Sequence, residues 1–130
     1  MSEFSKALSV TASGLKAQAT RLRHVSENIS NADTPGYRRK TVPFEAVRDL
    51  KTEAEQVRTG RVSLDRGDLP KIYDPSHPLA DTSGHYEGSN VDLMIEIADA
   101  REAQRSYEAN LKMFDQTRQM SAGLMDLLRR

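Results

Sequence analysis

Residues 91–128 read VDLMIEIADAREAQRSYEANLKMFDQTRQMSAGLMDLL, and the spacing within that stretch decides the fold. Leu93, Ile97, Ala100, Gln104, Tyr107, Leu111, Phe114, Arg118, Ser121, Met125 and Leu128 recur at alternating intervals of four and three residues. That alternation marks a helix presenting one seam to a partner. Neither Gly nor Pro interrupts it before Gly123. Asn90 is the predicted N-cap, and Asp92 and Glu96 place negative charge at the positive end of the helix. At 1.5 Å per residue such a helix would be about 55 Å long, which a small globule cannot enclose.

The other end of the chain repeats the pattern. From Phe4 to Asn31, the positions Leu8, Ala12, Leu15, Ala19, Leu22, Ser26 and Ile29 keep the same four-three spacing, and Phe4 and Val25 widen the stripe. Only Gly14 weakens this helix, by about 1 kcal/mol relative to Ala. Asn31-Ala32-Asp33-Thr34-Pro35-Gly36 then stops it with a C-cap residue and a proline. Two such helices predict a mainly α fold, with long N- and C-terminal helices forming a coiled coil and a small β or irregular insert between them. The predicted segments are 1–32, 33–90 and 91–130. Leu8, Leu15, Leu22, Ile29, Leu93, Ile97, Tyr107, Leu111, Phe114 and Met125 form the predicted assembly seam. Met94, Met113, Met120, Leu124 and Leu127 remain for neighbours. Gln104 and Arg118 interrupt the seam, and two readings stand for them: they fix register and partner choice, or they snorkel at its edge.

The insert holds all five prolines and five of the seven glycines. Val57, Val62, Leu64 and Ile72, with Gly60 and Gly67 among them, suggest one or two short strands and a hairpin. Residues 74–90, DPSHPLADTSGHYEGSN, read as loop.

Composition narrows the function. Leu, Ile, Val and Phe make up 26 of 130 residues, a thin supply for a private core. Such a chain is expected to finish folding against partners. The 19 basic and 19 acidic side chains balance, and no segment has the basic face that nucleic acid requires. The densest cluster, Arg38-Arg39-Lys40 with Arg21 and Arg23 upstream, reads as a solvated or interface-facing charge run. The chain has no cysteine. The N-terminus lacks an apolar stretch behind a basic one, which predicts no cleavable secretory signal. Asp74, His77, Asp81 and His85 are residue types for metal or acid–base chemistry, but their Pro-containing segment gives them no rigid frame. They read as loop, and His24 as a solvent-facing helix residue. No phosphate loop, metalloprotease helix or nucleophile elbow is present, so neither an enzyme nor a small-molecule substrate, cofactor or metal is expected.

The run SENISNADTPGYR, residues 26–38, resembles the N-I-A-N-x-x-T-P-G-Y signature that closes the first helix of flagellar rod and hook proteins. Its matching residues are Asn28, Asn31, Ala32, Thr34, Pro35, Gly36 and Tyr37. Asn90-Val91-Asp92 and REAQRSYEAN, residues 101–110, resemble the family's C-terminal helix, with Tyr107 and Asn110 the matching positions. YDPSHPLAD, residues 73–81, is similar to the proximal rod members. The resemblance implies a structural subunit of the basal-body rod, which crosses the periplasm and transmits torque from motor to hook as a helical tube. It also implies passage through the flagellar type III export apparatus. The implied partners are copies of the chain, other rod proteins (FlgB, FlgF, FlgG) and basal-body components such as FliE. The heptads alone would equally suit a cytosolic coiled-coil adaptor or export chaperone, which needs neither the turn nor the insert.

Overall fold

A computed structural model describes residues 2–129. Helix α1 spans Glu3–Ser30 and helix α2 Leu93–Leu128. Between them run six short strands: β1 (Lys40–Thr41), β2 (Phe44–Arg48), β3 (Glu55–Thr59), β4 (Ser63–Leu64), β5 (Lys71–Tyr73) and β6 (His85–Glu87). They form three separate antiparallel pairs, β1 with β4, β2 with β3, and β5 with β6. The β2–β3 hairpin is the longest, running from Phe44 opposite Thr59 to Arg48 opposite Glu55. The insert is therefore richer in strand than its sequence suggests. Val57, Leu64 and Ile72 lie in strands and Val62 does not, while β6 falls within the segment read as loop. No helix among the described residues is long and apolar enough to cross a membrane.

Each helix has its own start and stop. Ser2 caps α1 by accepting the Ser5 N–H at 3.1 Å. Asn31 is its C-cap, and the Asn31 side-chain amide donates to the Glu27 carbonyl at 2.8 Å. The cap of α2 is Asp92, whose carboxylate accepts the Met94 N–H at 3.0 Å, and not Asn90 as the sequence suggests. Asn90 is committed elsewhere: it accepts the Arg39 N–H at 2.7 Å and donates to the Asp65 carbonyl at 3.1 Å.

The helices pack antiparallel. Asn28 meets Glu96, Arg21 reaches Asp99 and Glu102, and Gly14 lies against Asn110. Their contact is rotated from the expected seam. On α2 the row 97, 104, 111, 118 and 125 gives way to the row one residue earlier: Glu96 and Ala103 are buried, Asn110 and Thr117 half-buried. On α1 the row 12, 19 and 26 gives way in the same sense to Thr11, Gln18 and Val25, with Gly14, Ala17 and Asn28 buried beside it. Ala100, Tyr107, Phe114 and Ser121 keep their expected inward direction. Leu93, Ile97, Leu111 and Met125 are exposed, as are Gln104 and Arg118, so neither polar residue sets the register of this pair. Leu8, Leu15, Leu22 and Ile29 are half-buried along the flank.

The reason is size. A Cβ on Gly14 would come within 3.0 Å of the Asn110 side chain. Small residues let the axes close in, and a row of leucines in their place would hold the helices apart. Gly14 is thus the point of close approach rather than a weakness in the helix.

Candidate assembly surface and the junction that orients it

The signature turn has a physical explanation. Tyr37 N–H donates to the Thr34 carbonyl at 3.1 Å, with Pro35 and Gly36 at the turn's centre and Gly36 at φ 75°. That is a type II turn, which favours Pro then Gly at those two positions. Thr34 Oγ1 ties the turn to the cap by donating to Asn31 Oδ1 at 3.0 Å. The chain is thereby reversed so that Tyr37 returns over the last turn of α1, where its hydroxyl donates to Asn28 Oδ1 at 2.9 Å. Ala32 contributes backbone: its carbonyl accepts the Ser89 hydroxyl.

Asn28 is the hub. It is fully buried, and every hydrogen-bonding direction it uses has a partner. Its Oδ1 also accepts the Lys40 N–H at 2.8 Å, and its Nδ2 donates to the Lys40 carbonyl at 3.0 Å and Glu96 Oε2 at 3.3 Å. Glu96 is equally buried, and its Oε1 accepts Arg39 Nε at 2.6 Å. The end of α1, the turn, β1 and the start of α2 therefore meet in one polar network. A side-chain network of this kind specifies one arrangement because each unpaired member would leave a desolvated polar group. Burial holds the Tyr37 hydroxyl above its ordinary pKa.

The basic cluster is not a free charge run. Arg38 donates to the carbonyls of Asp65 and Gly67 at 2.9 and 2.6 Å, Arg39 pairs with Glu96, and Lys40 pairs with Glu27 at 2.7 Å. Arg21 bridges to α2 through Asp99 and Glu102, leaving Arg23 as the exposed member. The Lys40 hydrogen bond holds the Glu27 carboxyl below its ordinary pKa, and the same bond raises Lys40.

His24 is also placed differently from expectation. It is buried in a cleft of about 300 Å³ shared with Val25, Thr41, Val42 and Phe44; neither ring nitrogen has a hydrogen-bond partner, and Nδ1 lies 3.9 Å from Glu27 Oε2. The insert folds back over this flank of α1, which the helical pattern alone does not reveal. Asp74, His77, Asp81 and His85 sit in and around the β5–β6 hairpin. Asp74 and Asp81 accept from the backbone and hydroxyls of Ser76 and Ser83, and His77 Nδ1 accepts the Leu79 N–H at 3.1 Å. The Ser83 hydroxyl bond holds Asp81 below its ordinary pKa. The His77 ring stacks on Tyr86 at 3.9 Å, and Tyr73 lies 5.1 Å from His85. Among the described residues, no three His, Asp or Glu side chains converge as metal ligands.

What the pair leaves outside is apolar. Leu93, Met94, Ile95, Ile97, Leu111, Met113, Met120, Leu124, Met125, Leu127 and Leu128 of α2 are all exposed. Leu124 belongs to the buried row, one heptad beyond Thr117. It is bare because α1 begins only at Glu3, and the last turns of α2 extend past that start.

The sequence aligns with known proteins over nearly its whole length. A family described as "Flagella basal body rod protein" matches residues 8–38, and one described as "Flagellar basal body rod FlgEFG protein C-terminal" matches residues 82–127. The chain is 48% identical to the flagellar basal-body rod protein FlgC of Agrobacterium fabrum, covering 99% of this chain and 98% of that protein. It is 34% identical to FlgC of Aquifex aeolicus, over 92% and 93% of the two chains. With FlgC of Bacillus subtilis the identity is 31%, over 87% and 90%.

Proposed function

The chain belongs to the FlgC family of flagellar basal-body rod proteins, and from that membership we propose how it is built into the rod. It is a structural subunit of the flagellar basal body, and the adaptor or chaperone reading finds no support among its relatives. The polar junction sets the angle between the helical pair and the insert within one chain. The apolar surface of α2 is then covered by neighbouring rod subunits, stacked head-to-tail into a helical tube that carries torque from motor to hook. Its neighbours are copies of itself, the rod proteins FlgB, FlgF and FlgG, and base components such as FliE. It reaches them through the flagellar type III export apparatus, and its role there is structural rather than catalytic. The assembly seam is the set of exposed or half-buried positions Leu8, Leu15, Leu22, Ile29, Leu93, Ile97, Leu111 and Met125, while Tyr107 and Phe114, directed toward the partner helix, serve the pair itself. The signature positions serve to orient it.

One observation carries this reading. The helical pair buries small and polar residues, with Tyr107 and Phe114 half-buried beside them, and leaves most of the large aliphatic and Met side chains of α2 outside. A long, uncovered apolar helix face marks an interaction surface, and heterologous contacts between copies generate open helical assemblies. Fractionation tests it. The protein should co-purify with detergent-extracted basal bodies, and recovery in the soluble fraction alone would contradict the proposal.

A further inference from the structure

Two features at opposite ends of the molecule complement each other. The first is Leu50, at the tip of the β2–β3 hairpin and 94% exposed. Three hydrogen bonds close the turn that carries it. Asp49 N–H donates to the Ala54 carbonyl at 2.9 Å, Glu53 N–H to the Asp49 carbonyl at 2.8 Å, and Lys51 N–H to the Asp49 carboxylate at 2.8 Å. Thr52 and Ala54 are buried beneath it. The second feature is a shallow open groove between side chains on the outward face of α2, lined by Met94, Ile97, Ala98, Arg101, Glu102 and Arg105. Its floor is apolar and its rim carries two cations and one anion. The hairpin tip carries the reverse, with Asp49 and Glu53 against Lys51. Among the described residues Arg101 and Arg105 make no ion pair, and Glu53 has only a loose 4.0 Å contact with Arg48.

The hairpin cannot reach its own groove. Gln56 is bonded to Ser9, which places the tip near the start of α1, whereas the groove begins beside Glu96, which meets Asn28 at its end. Nineteen residues of helix, about 28 Å, separate the two levels. We propose that the occupant is a second copy of this chain: Leu50 of one copy seats between Met94 and Ile97 of the next, with Glu53 facing Arg101 and Arg105. The knob and the hole lie at opposite ends of the molecule, so the contact is head-to-tail and does not close on itself. Charge of opposite sign on tip and rim fixes which way the knob enters.

The proposal rests on the subunit reading above, and the test separates the two. The chain has no cysteine, so Leu50→Cys and Ile97→Cys introduce the only thiols. Motile cells carrying the double variant as their sole copy show that rods assemble. On mild oxidation their basal bodies should yield a ladder of disulfide-linked multimers, while each single variant yields monomer. Assembled basal bodies giving monomer from the double variant, or equal dimer from a single variant, overturn the docking proposal and leave the subunit reading intact. Failure to co-purify with basal bodies at all would instead sink the subunit reading. If the cysteine pair blocks assembly, charge reversal decides. Arg101→Glu with Arg105→Glu should lower recovery of the chain in basal bodies about fivefold, the scale of two exposed ion pairs. Adding Glu53→Arg should restore most of it. Reversal without effect, or without rescue, overturns the proposal.

Discussion

Where α1 ends and α2 begins, Asn28, Tyr37, Arg39, Lys40, Asn90 and Glu96 satisfy one another in hydrogen bonds and ion pairs. Where α1 begins and α2 ends, α2 continues with Leu124, Met125, Leu127 and Leu128 in the open. At one end the inner face of α2 is closed by a polar network, with Leu93, Met94, Ile95 and Ile97 bare only on its outer face; at the other end the inner row is open as well, at Leu124. The difference separates two tasks that a single heptad pattern conceals. Fixing the chain's own shape falls to directional contacts between small and polar residues. Joining other chains falls to the large apolar residues, whose burial is non-directional and waits for a neighbour.

The sharpest way to break that comparison is to place the same charge on each side of α2. Ala103 is fully buried against α1, so Ala103→Asp should destabilise the isolated chain by several kcal/mol, the cost of an unpaired buried carboxylate. Leu111, at 41% exposed, should tolerate Asp in the monomer within about 0.5 kcal/mol while motility is lost. Denaturant melts and swimming assays check both. Equal destabilisation by the two variants would show that the rotated seam is misassigned.

The junction should respond more strongly than its charge count suggests. Glu96→Ala leaves Arg39 without its carboxylate and Asn28 Nδ2 with one partner fewer, a loss of about 3 kcal/mol for a broken buried pair. Unfolding of the purified chain measures it, and a change under about 0.5 kcal/mol would reduce the junction to ordinary surface. The smallest effect belongs to Lys40 and Glu27. The Glu27 carboxyl is held below its ordinary value, so its contribution is complete above the ordinary carboxylate range and disappears as pH falls through the lowered pKa. The Lys40 ammonium is raised, so its share is complete below the ordinary lysine range and is lost as pH climbs through the raised pKa. Lys40→Met should therefore cost most near neutrality and least at either extreme. A stability difference independent of pH would remove the pair from the account.

The sequence makes the helices legible because four-three spacing survives any choice of partner. It locates the stop at Asn31 and the turn at Pro35-Gly36 because those residues have few alternatives. It misleads on the seam: Leu111 and Ile97 are the strongest apolar positions, and only Gly14 and Ala103 hint that close approach happens one residue away. Glu96 looks like helix-end charge until Arg39 and Asn28, far off in the chain, are brought beside it. His24 and the short strands depend on how the insert folds back, which no local pattern records. The Asn28, Asn31 and Tyr37 of the signature are legible as family resemblance, but their hydrogen bonds emerge only in three dimensions.

Hydrogen exchange along α2 tests the central claim most directly, because one helix carries both the closed and the open end. In the isolated chain, amides near 96–107 should be well protected and those of 118–128 should exchange quickly, since helices owe most of their stability to tertiary packing. In assembled basal bodies the slow region should extend to the end of the helix. Protection of 118–128 in the monomer equal to that of 96–107 would contradict the account.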